Sequence, residues 1–397
     1  MLSDLTSVKQ VENILVFISD SLRFDELPNS VKSNSMWGRA IAASTFTGSG
    51  FPSIMTGKYP VNHRVWELTD TLPATPNLLN ATSNSGIDAT NVWATVPDPE
   101  NKPPLRMCHE QDNTTIDDIE SPFTLVIHDQ GGHMQYGKGE QAQWNSHKEF
   151  FTDLADDPSR IRDLYREGVD ESMNRFSNIC AQLKSRKEFE NTLVILTSDH
   201  GELLGEYGGL YDHGAPVVPE LVSVPMVFMG ANLPTNEEID VLLSTTDIVP
   251  TVFAALNKTV PSHVNGYDIW NRDSERINNR IVRSEIWRQP DYPMMSYQAS
   301  SAWTSKGGIV RHLNSISSRL SYLLAYEYYY APYSNMVRKL SSGTMKQLKA
   351  YLKPEITYGE FSRDSIQFPQ DFESEQQSDA TTEGPNKRQL RDLGYLE

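Results

Sequence analysis

The chain is poor in cysteine, in lysine and in long apolar runs, and each shortage excludes something. Cys108 and Cys180 are the only cysteines among 397 residues. They are too few for a disulfide framework and too isolated for a thiolate metal site, and they read as ordinary thiols. No apolar run approaches the roughly 20 residues needed to cross a bilayer, so no membrane insertion is expected. The opening MLSDLTSVKQVEN has neither the basic start nor the apolar stretch of a secretory signal, which points to a cytoplasmic protein. Lysine supplies 15 of 35 basic residues, and 52 acidic residues oppose them, leaving a formal net charge of −17. That excess repels phosphate backbones and anionic lipid heads, so no nucleic acid is expected as a partner. The acid is spread along the chain and not gathered in a tail, as in an acidic or salt-adapted enzyme. An enzyme of this charge needs cations to handle an anionic substrate. No repeat occurs at periods of 20 to 50 residues.

What is present is a series of short apolar runs between helical patterns. ILVFIS (14–19), FTLVIH (123–128), TLVILTS (192–198) and VPMVFMG (224–230) are rich in β-branched residues and apolar on both faces. Such runs are expected of a mostly parallel sheet covered by helices on both sides. Between the second and third, residues 160–186 predict a helix. Its Val169, Met173, Phe176, Cys180 and Leu183 form one apolar stripe at 4-3-4-3 spacing. A second helix reads from Thr246 to Leu256, with Pro250 starting or kinking it. The alternation gives an α/β class. After about residue 270, Tyr and Ser become common and strand runs weaken, so 1–270 is expected to be the catalytic domain and 271–397 a smaller C-terminal subdomain. Residues 362–386 read as a polar linker, and RQLRDLGYLE closes the chain as a short helix able to dock by its leucines.

Ligands of open α/β sheets sit beyond the carboxyl ends of the strands. Three of the four runs end in residues that ligate metals: Asp20, His128 with Asp129, and Asp199 with His200. A lone Asp at a strand end is an ordinary helix cap, but three such ends are not. Oxygen and nitrogen donors together suit one or two divalent ions of the Zn, Mn or Mg kind. The segment AASTFTGSGFPSIMTGKYP adds hydroxyls, glycines for close approach and a helix start for an anion. A threonine or serine there, bound to the metal, is a candidate nucleophile toward phosphorus or sulfur.

NILVFISDSLRFDEL resembles the first strand and metal-binding Asp of the sulfatase and alkaline phosphatase superfamily. SIMTGKYP resembles the end of its nucleophile region, and SDHGELLGEYGGLYDHG is similar to its D-H-G-E-x-x-G-E-x-G signature. TTDIVPTVFAAL and LRDLGYLE also look like segments of the family, so the likeness runs over nearly the whole chain. It implies an alkaline phosphatase-like fold in which Asp20, Thr47, Asp199 and His200 hold one metal. Counting back from Thr56 and Gly57 places the nucleophile at Thr47, with Ser44, Thr45 and Ser49 close by. DQGGHMQYG resembles the D-x-x-G-H element of two-metal phosphodiesterases, which implies Asp129, His133 and His213 at a second ion. The alternatives are His128 as the inward residue, and His133 or His213 as a hydrogen-bonding partner of substrate. Arg23 is either a substrate residue or the ion-pair partner of Asp25 or Glu26. His63, His109, His147, His263 and His312 lack motif context and read as surface or core residues.

Two departures shape the expected chemistry. Sulfatases mature a Cys or Ser to formylglycine, followed by Pro and Arg, whereas positions 47–51 read TGSGF. Threonine cannot become that aldehyde. Ser21 stands where many sulfatases carry a second metal-binding Asp, which disfavours a calcium-type site. The resemblance therefore implies a metal-dependent hydrolase cleaving a phosphate mono- or diester through a Thr47 intermediate, with His133 or His213 assisting. Its alternatives are a phosphoryl-alcohol transferase, a sulfuric ester hydrolase, and a non-catalytic family member that binds metal or glycan. The expected partner is a small-molecule or glycan-linked phosphate or sulfate ester.

Overall fold

A computed structural model describes residues 11–93, 96, 98–134, 136, 147–154, 157–270, 280–288, 295–325 and 342–361. The expected linker, the terminal helix and His147's side chain lie outside these residues. The chain forms β1 (Asn13–Ser19), β2 (Met36–Ile41), β3 (Asn84–Asp88), β4 (Phe123–Asp129) and β5 (Thr192–Thr197). A two-stranded ribbon, β6 (Leu203–Gly205) and β7 (Leu210–Asp212), precedes β8 (Ser223–Gly230) and β9 (Glu237–Ser244). The main sheet has the order β3-β4-β1-β5-β8-β2-β9. Its pairs are parallel except where β8 runs against β5 and β2.

The unbroken apolar character of β1 follows from burial on both faces. Ile14, Val16 and Ile18 enter one core, shared with α1 (Thr47–Thr56). Leu15 and Phe17 enter the other, under α2 (Pro158–Ser185). Helix α2 starts where expected, with Pro158 in its first turn and the Asp157 carboxylate accepting from Arg160 N–H at 3.0 Å. Its predicted stripe is buried, and Phe176 meets Phe17 edge-on with ring centroids 5.3 Å apart. Pro250 lies in the first turn of α3 (Ile248–Ala255), where a missing N–H costs nothing, so it starts the helix and does not kink it.

Beyond residue 280 the chain builds a second, antiparallel sheet from β10 (Val282–Arg288), β11 (Tyr297–Trp303), β12 (Gly307–His312) and β13 (Glu355–Gly359). Two helices, α4 (Ile316–Ala325) and α5 (Ser342–Leu352), lie between the last two strands. Val282, Ile286, Tyr297 and Tyr351 join the same core as Phe51 of α1 and Val249 of α3. This part also touches the site's neighbourhood directly: Glu285 N–H donates to Ala43 O at 2.8 Å. Among the described residues, no helix is long and apolar enough to cross a membrane.

Two histidines without motif context are buried and neutral. His63 bonds Ser53 Oγ at 2.9 Å, and His312 bonds the Tyr297 hydroxyl at 2.9 Å. Burial pushes His63 down to about 3 and His312 down to about 4. Each folded value lies below the unfolded one, so the unfolded chain binds more protons once pH falls below about 6.5. The stability they hold is complete above that pH and is lost toward the folded values. The unfolding free energy from urea titration is expected to fall between pH 7 and about 4.5, and that fall to be about 2 kcal/mol smaller in His312→Asn. An equal pH slope in wild type and variant would refute this.

Candidate active site and metal centre

Three parallel strands end side by side and in register: Ile18 of β1 lies opposite His128 of β4 and Thr197 of β5. Two residues beyond Ile18 and Thr197, Asp20 and Asp199 therefore share the face of His128, by the period of two along a strand. His128 Nε2 lies 3.3 Å from Asp20 Oδ2 and 3.8 Å from Asp199 Oδ2. His200 Nε2 lies 3.6 Å from Asp20 Oδ1 and 3.6 Å from Asp199 Oδ2. All four side chains are fully buried. Spacings of this kind are those of donor atoms around one ion at about 2.0 to 2.2 Å.

Helix α1 begins at Thr47, and its Oγ1 sits 2.9 Å from His200 Nε2. The glycine-rich start of the helix has a steric reason. A Cβ on Gly50 would stand 2.6 Å from the Asp199 carbonyl oxygen, so only glycine lets the helix rest on that strand end. The neighbouring hydroxyls are engaged elsewhere: Ser44 Oγ with Ser49 Oγ at 2.7 Å, and Thr45 Oγ1 with Gly214 O at 2.5 Å. Of the hydroxyls in this segment, that of Thr47 is the one bonded to His200.

His200 Nδ1 donates to Gly201 O at 2.9 Å, which assigns the proton to Nδ1 and leaves the Nε2 lone pair facing Thr47 and the carboxylates. His133 is held similarly, its Nδ1 bonded to Met134 O and its Nε2 buried without a hydrogen-bond partner. Its ring centroid lies 4.8 Å from that of His213, which stacks at 4.2 Å on His200. His213 Nδ1 bonds Glu202 Oε2 at 3.2 Å and lies 2.8 Å from Asp212 Oδ1, which also accepts from the His213 backbone N–H at 2.8 Å.

Asp129 does not join this cluster. One residue past His128, it points to the opposite face of the sheet, where Arg175 of α2 grips it through bonds of 2.6 and 2.8 Å. The expectation that Asp129 ligates a metal is corrected accordingly, and the inward residue of that strand end is His128. Arg23 is similarly taken up, by Asp25 at 2.7 Å, Glu206 at 2.7 Å and Glu202 O at 3.2 Å. These contacts brace the loop after β1. Among the motif residues, Gly131 has a backbone reason: at φ 53° it turns the chain over Asp20, whose carbonyl oxygen a Cβ would meet at 2.2 Å.

Glu202 was not singled out from the sequence, although it is the Glu of the quoted DHGE stretch. It is fully buried and accepts from Tyr136 Oη at 2.5 Å and from Ser21 Oγ at 3.0 Å, besides facing His213. Ser21, where the family often places an acid, thus bridges Asp20 at 3.2 Å to a carboxylate arriving from residue 202.

The cluster suits divalent cations. Asp20 Oδ2, Asp199 Oδ2, both His128 nitrogens and His133 Nε2 are buried without hydrogen-bond partners. Among the described residues, neither Asp20 nor Asp199 pairs with Lys or Arg. Leaving a buried carboxylate uncompensated costs several kcal/mol. Burial opposes charge on Asp20, but His133, His128 and His200 outweigh it and hold the carboxyl well below the usual carboxylate range. Burial likewise opposes charge on His213, but Asp212 and Glu202 drive its pKa well above the usual imidazole value. Two groups have ligand atoms within 4.8 Å of one another: Asp20, Asp199 and His200, and His200, Glu202 and His213.

The geometry agrees with the comparisons. The family profile described as Sulfatase matches residues 106–258. The chain is 36% identical over 329 residues to the low-salt glycan biosynthesis sulfotransferase Agl7 of Haloferax volcanii, covering 81% of this chain and 80% of the relative. In fold it is similar to the phosphonate monoester hydrolase of Agrobacterium radiobacter, with TM-score 0.56, 15% identity and coverage of 85% and 96% of the two chains. A 2-O GAG sulfatase superposes with TM-score 0.56 at 14% identity, covering 85% and 93%. With Asp and His side chains gathered at its strand ends, a helix-borne hydroxyl beside them and a relative 36% identical over 81% of its length, the chain belongs to the sulfatase family, within the sulfatase and alkaline phosphatase superfamily.

Proposed function

We propose that the protein transfers a sulfuryl group from a sulfate ester to a glycan hydroxyl through a covalent ester on Thr47. The observation that carries this reading is Thr47 Oγ1 at 2.9 Å from His200 Nε2, inside a fully buried cage of Asp20, Asp199 and His128. The sulfotransferase relative favours sulfur and a glycan acceptor.

In the first half-reaction, Thr47 Oγ gives up its hydroxyl proton to the His133 and His213 imidazole pair as it attacks sulfur, the Oγ–S bond forms, and the S–O bond to the donor alcohol breaks. The leaving oxygen takes a proton, for which His213 and His133 are the positioned imidazoles. In the second, the acceptor hydroxyl attacks the same sulfur and gives up its proton to an imidazole, the Oγ–S bond breaks, and Thr47 Oγ takes a proton back from the imidazole pair. Thr47 carries a methyl group and a hydrogen on Cβ, so no second hydroxyl can expel sulfate from that carbon. The ester must be cleared by attack at sulfur, and in a site closed to bulk water a bound hydroxyl is favoured over solvent. Asp20, Asp199, His200 and His128 would hold a divalent ion that neutralises charge on the attacking and non-bridging oxygens. Phe46, the residue before Thr47, carries the Arg288 guanidinium over its ring at 3.6 Å, and Glu67 holds that guanidinium at 2.8 Å, so a residue of the C-terminal sheet packs beside the nucleophile's helix start.

A second reading, phosphoester hydrolysis through the same threonine, is favoured by the three converging histidines His133, His200 and His213, which could serve a second ion. Intact-mass analysis after mixing with an aryl sulfate separates the two. The expected result is an SO3 adduct on the Thr47 peptide that a glycan acceptor clears faster than water does. An HPO3 adduct from an aryl phosphate, formed faster and cleared by water, would select the second reading. Turnover without any adduct at Thr47 would overturn both.

A further inference from the structure

Four of the five large apolar side chains most exposed among the described residues lie on two neighbouring helices. Ile316 is 55% exposed, Leu320 37% and Leu324 46%, all on α4, and Met345 on α5 is 57% exposed. The α4 residues recur at every fourth position, so they form one outward stripe. The inner side of α4 is occupied: Tyr322 and Leu323 are buried, and buried Arg319 donates to Leu352 O at the end of α5 at 3.0 Å. Beside the stripe, α5 and the residue after it present Lys346, Lys349 and Lys353 to solvent.

The charge of this region reverses that of the protein. Residues 292–354 contain eight Lys or Arg and a single acid in a chain of net charge −17; of these, Arg319 is buried and Arg311 pairs with Glu355, and the exposed lysines Lys346, Lys349 and Lys353 carry the charge of this face. The general argument against anionic surfaces therefore fails locally. We propose that the outer face of α4 and α5 is a docking surface for an anionic lipid bilayer, independent of the reaction assigned above. The aliphatic stripe would enter the boundary between head groups and acyl chains, while the lysines extend their stems along it and place their ammonium groups at lipid phosphates. The acidic remainder of the molecule is repelled by the same surface, which orients this face toward it. A phosphate-rich polymer would use the lysines but not the stripe. A symmetric second copy would set lysine against lysine. Helix α4 spans only 10 residues, so the contact is peripheral.

The test is sedimentation of the full chain with vesicles of phosphatidylglycerol and phosphatidylcholine, against pure phosphatidylcholine, at low ionic strength. Wild type is expected to bind the mixed vesicles, to bind the neutral ones far more weakly, and to be released as salt rises. The combined substitution Lys346→Glu, Lys349→Glu and Lys353→Glu should weaken binding by about 100-fold or more. Leu320→Asp with Leu324→Asp, which keeps the lysines, should weaken it by at least about 10-fold. All five positions are exposed, and unchanged circular dichroism will show that both variants fold. Failure of wild type to bind the mixed vesicles would overturn the proposal, as would equal binding by wild type and both variants. A dimer in solution that the leucine variant dissociates, with no vesicle binding, would assign the stripe to a subunit interface instead.

Discussion

Thr47→Ala is expected to lower kcat by about 10⁴-fold or more with little change in KM, because it removes an interaction made with the reacting atom and not with the bound ester. The fold should survive. Thr47 is fully buried at the first position of its helix, and its hydroxyl bonds His200 in place of capping the backbone. Loss of so small a side chain costs about 1 kcal/mol. Thr47→Ser keeps the nucleophilic oxygen and should retain far more activity than the alanine variant. Ser49→Ala should be nearly neutral in kcat, since the Ser49 hydroxyl is paired with Ser44 at 2.7 Å. Steady-state kinetics on an aryl sulfate decides the matter. More than about a tenth of wild-type turnover in Thr47→Ala would remove this residue from the chemistry.

Metal removal should produce the second large effect, in stability as well as in rate. Asp20 and Asp199 converge in a buried site with no Lys or Arg partner among the described residues, so a bound cation relieves their repulsion. Any ion that binds only the folded chain stabilises it, by about 3 kcal/mol at a hundredfold excess over its Kd. A chelator should therefore lower Tm by several degrees and abolish turnover, and re-addition of Zn, Mn or Mg should restore both. Asp199→Asn offers the control. It removes one of the two facing charges, so it should lose activity and sensitivity to chelator while unfolding no earlier than metal-free wild type. Thermal melts with and without chelator, with metal content by mass spectrometry, read this out. A wild type that carries no metal and melts at the same temperature with chelator would refute the metal centre.

Much of the scaffold around these residues was legible because it is local. The four apolar runs became β1, β4, β5 and β8, and the stripe of Val169, Met173, Phe176, Cys180 and Leu183 became the buried side of α2. Continuous apolar runs mark strands buried on both faces, and a 3.6-residue period marks a helix. Strands β2, β3 and β9 escaped notice. MWGRAI, NSGID and EEIDVLLS are interrupted by Gly and charge, and β3 and β9 form the two edges of the sheet, where burial on both faces is not required.

At the site the dividing line is sharper. The sequence by itself determined which kinds of groups gather, because each candidate ligand stands at the end of a readable strand: Asp20 after β1, His128 in β4, Asp199 and His200 after β5. It could not decide between His128 and Asp129, since adjacent residues of a strand point to opposite faces and an error of one position exchanges core and site. The grip of Arg175 on Asp129, from a helix 46 residues away, settled the direction. The sequence placed the candidate nucleophile at Thr47 by counting back from Thr56 and Gly57, with Ser44, Thr45 and Ser49 close by, and only the through-space partners set the four hydroxyls apart. Glu202 and Ser21 are separated by 181 residues and meet at 3.0 Å. The net charge of −17 was likewise a property of the whole chain. A window of the sequence shows where that average is locally reversed, but only the packing of α4 beside α5 sets the exposed Lys346, Lys349 and Lys353 next to an apolar stripe, because a count along the chain carries no information about which residues share a surface.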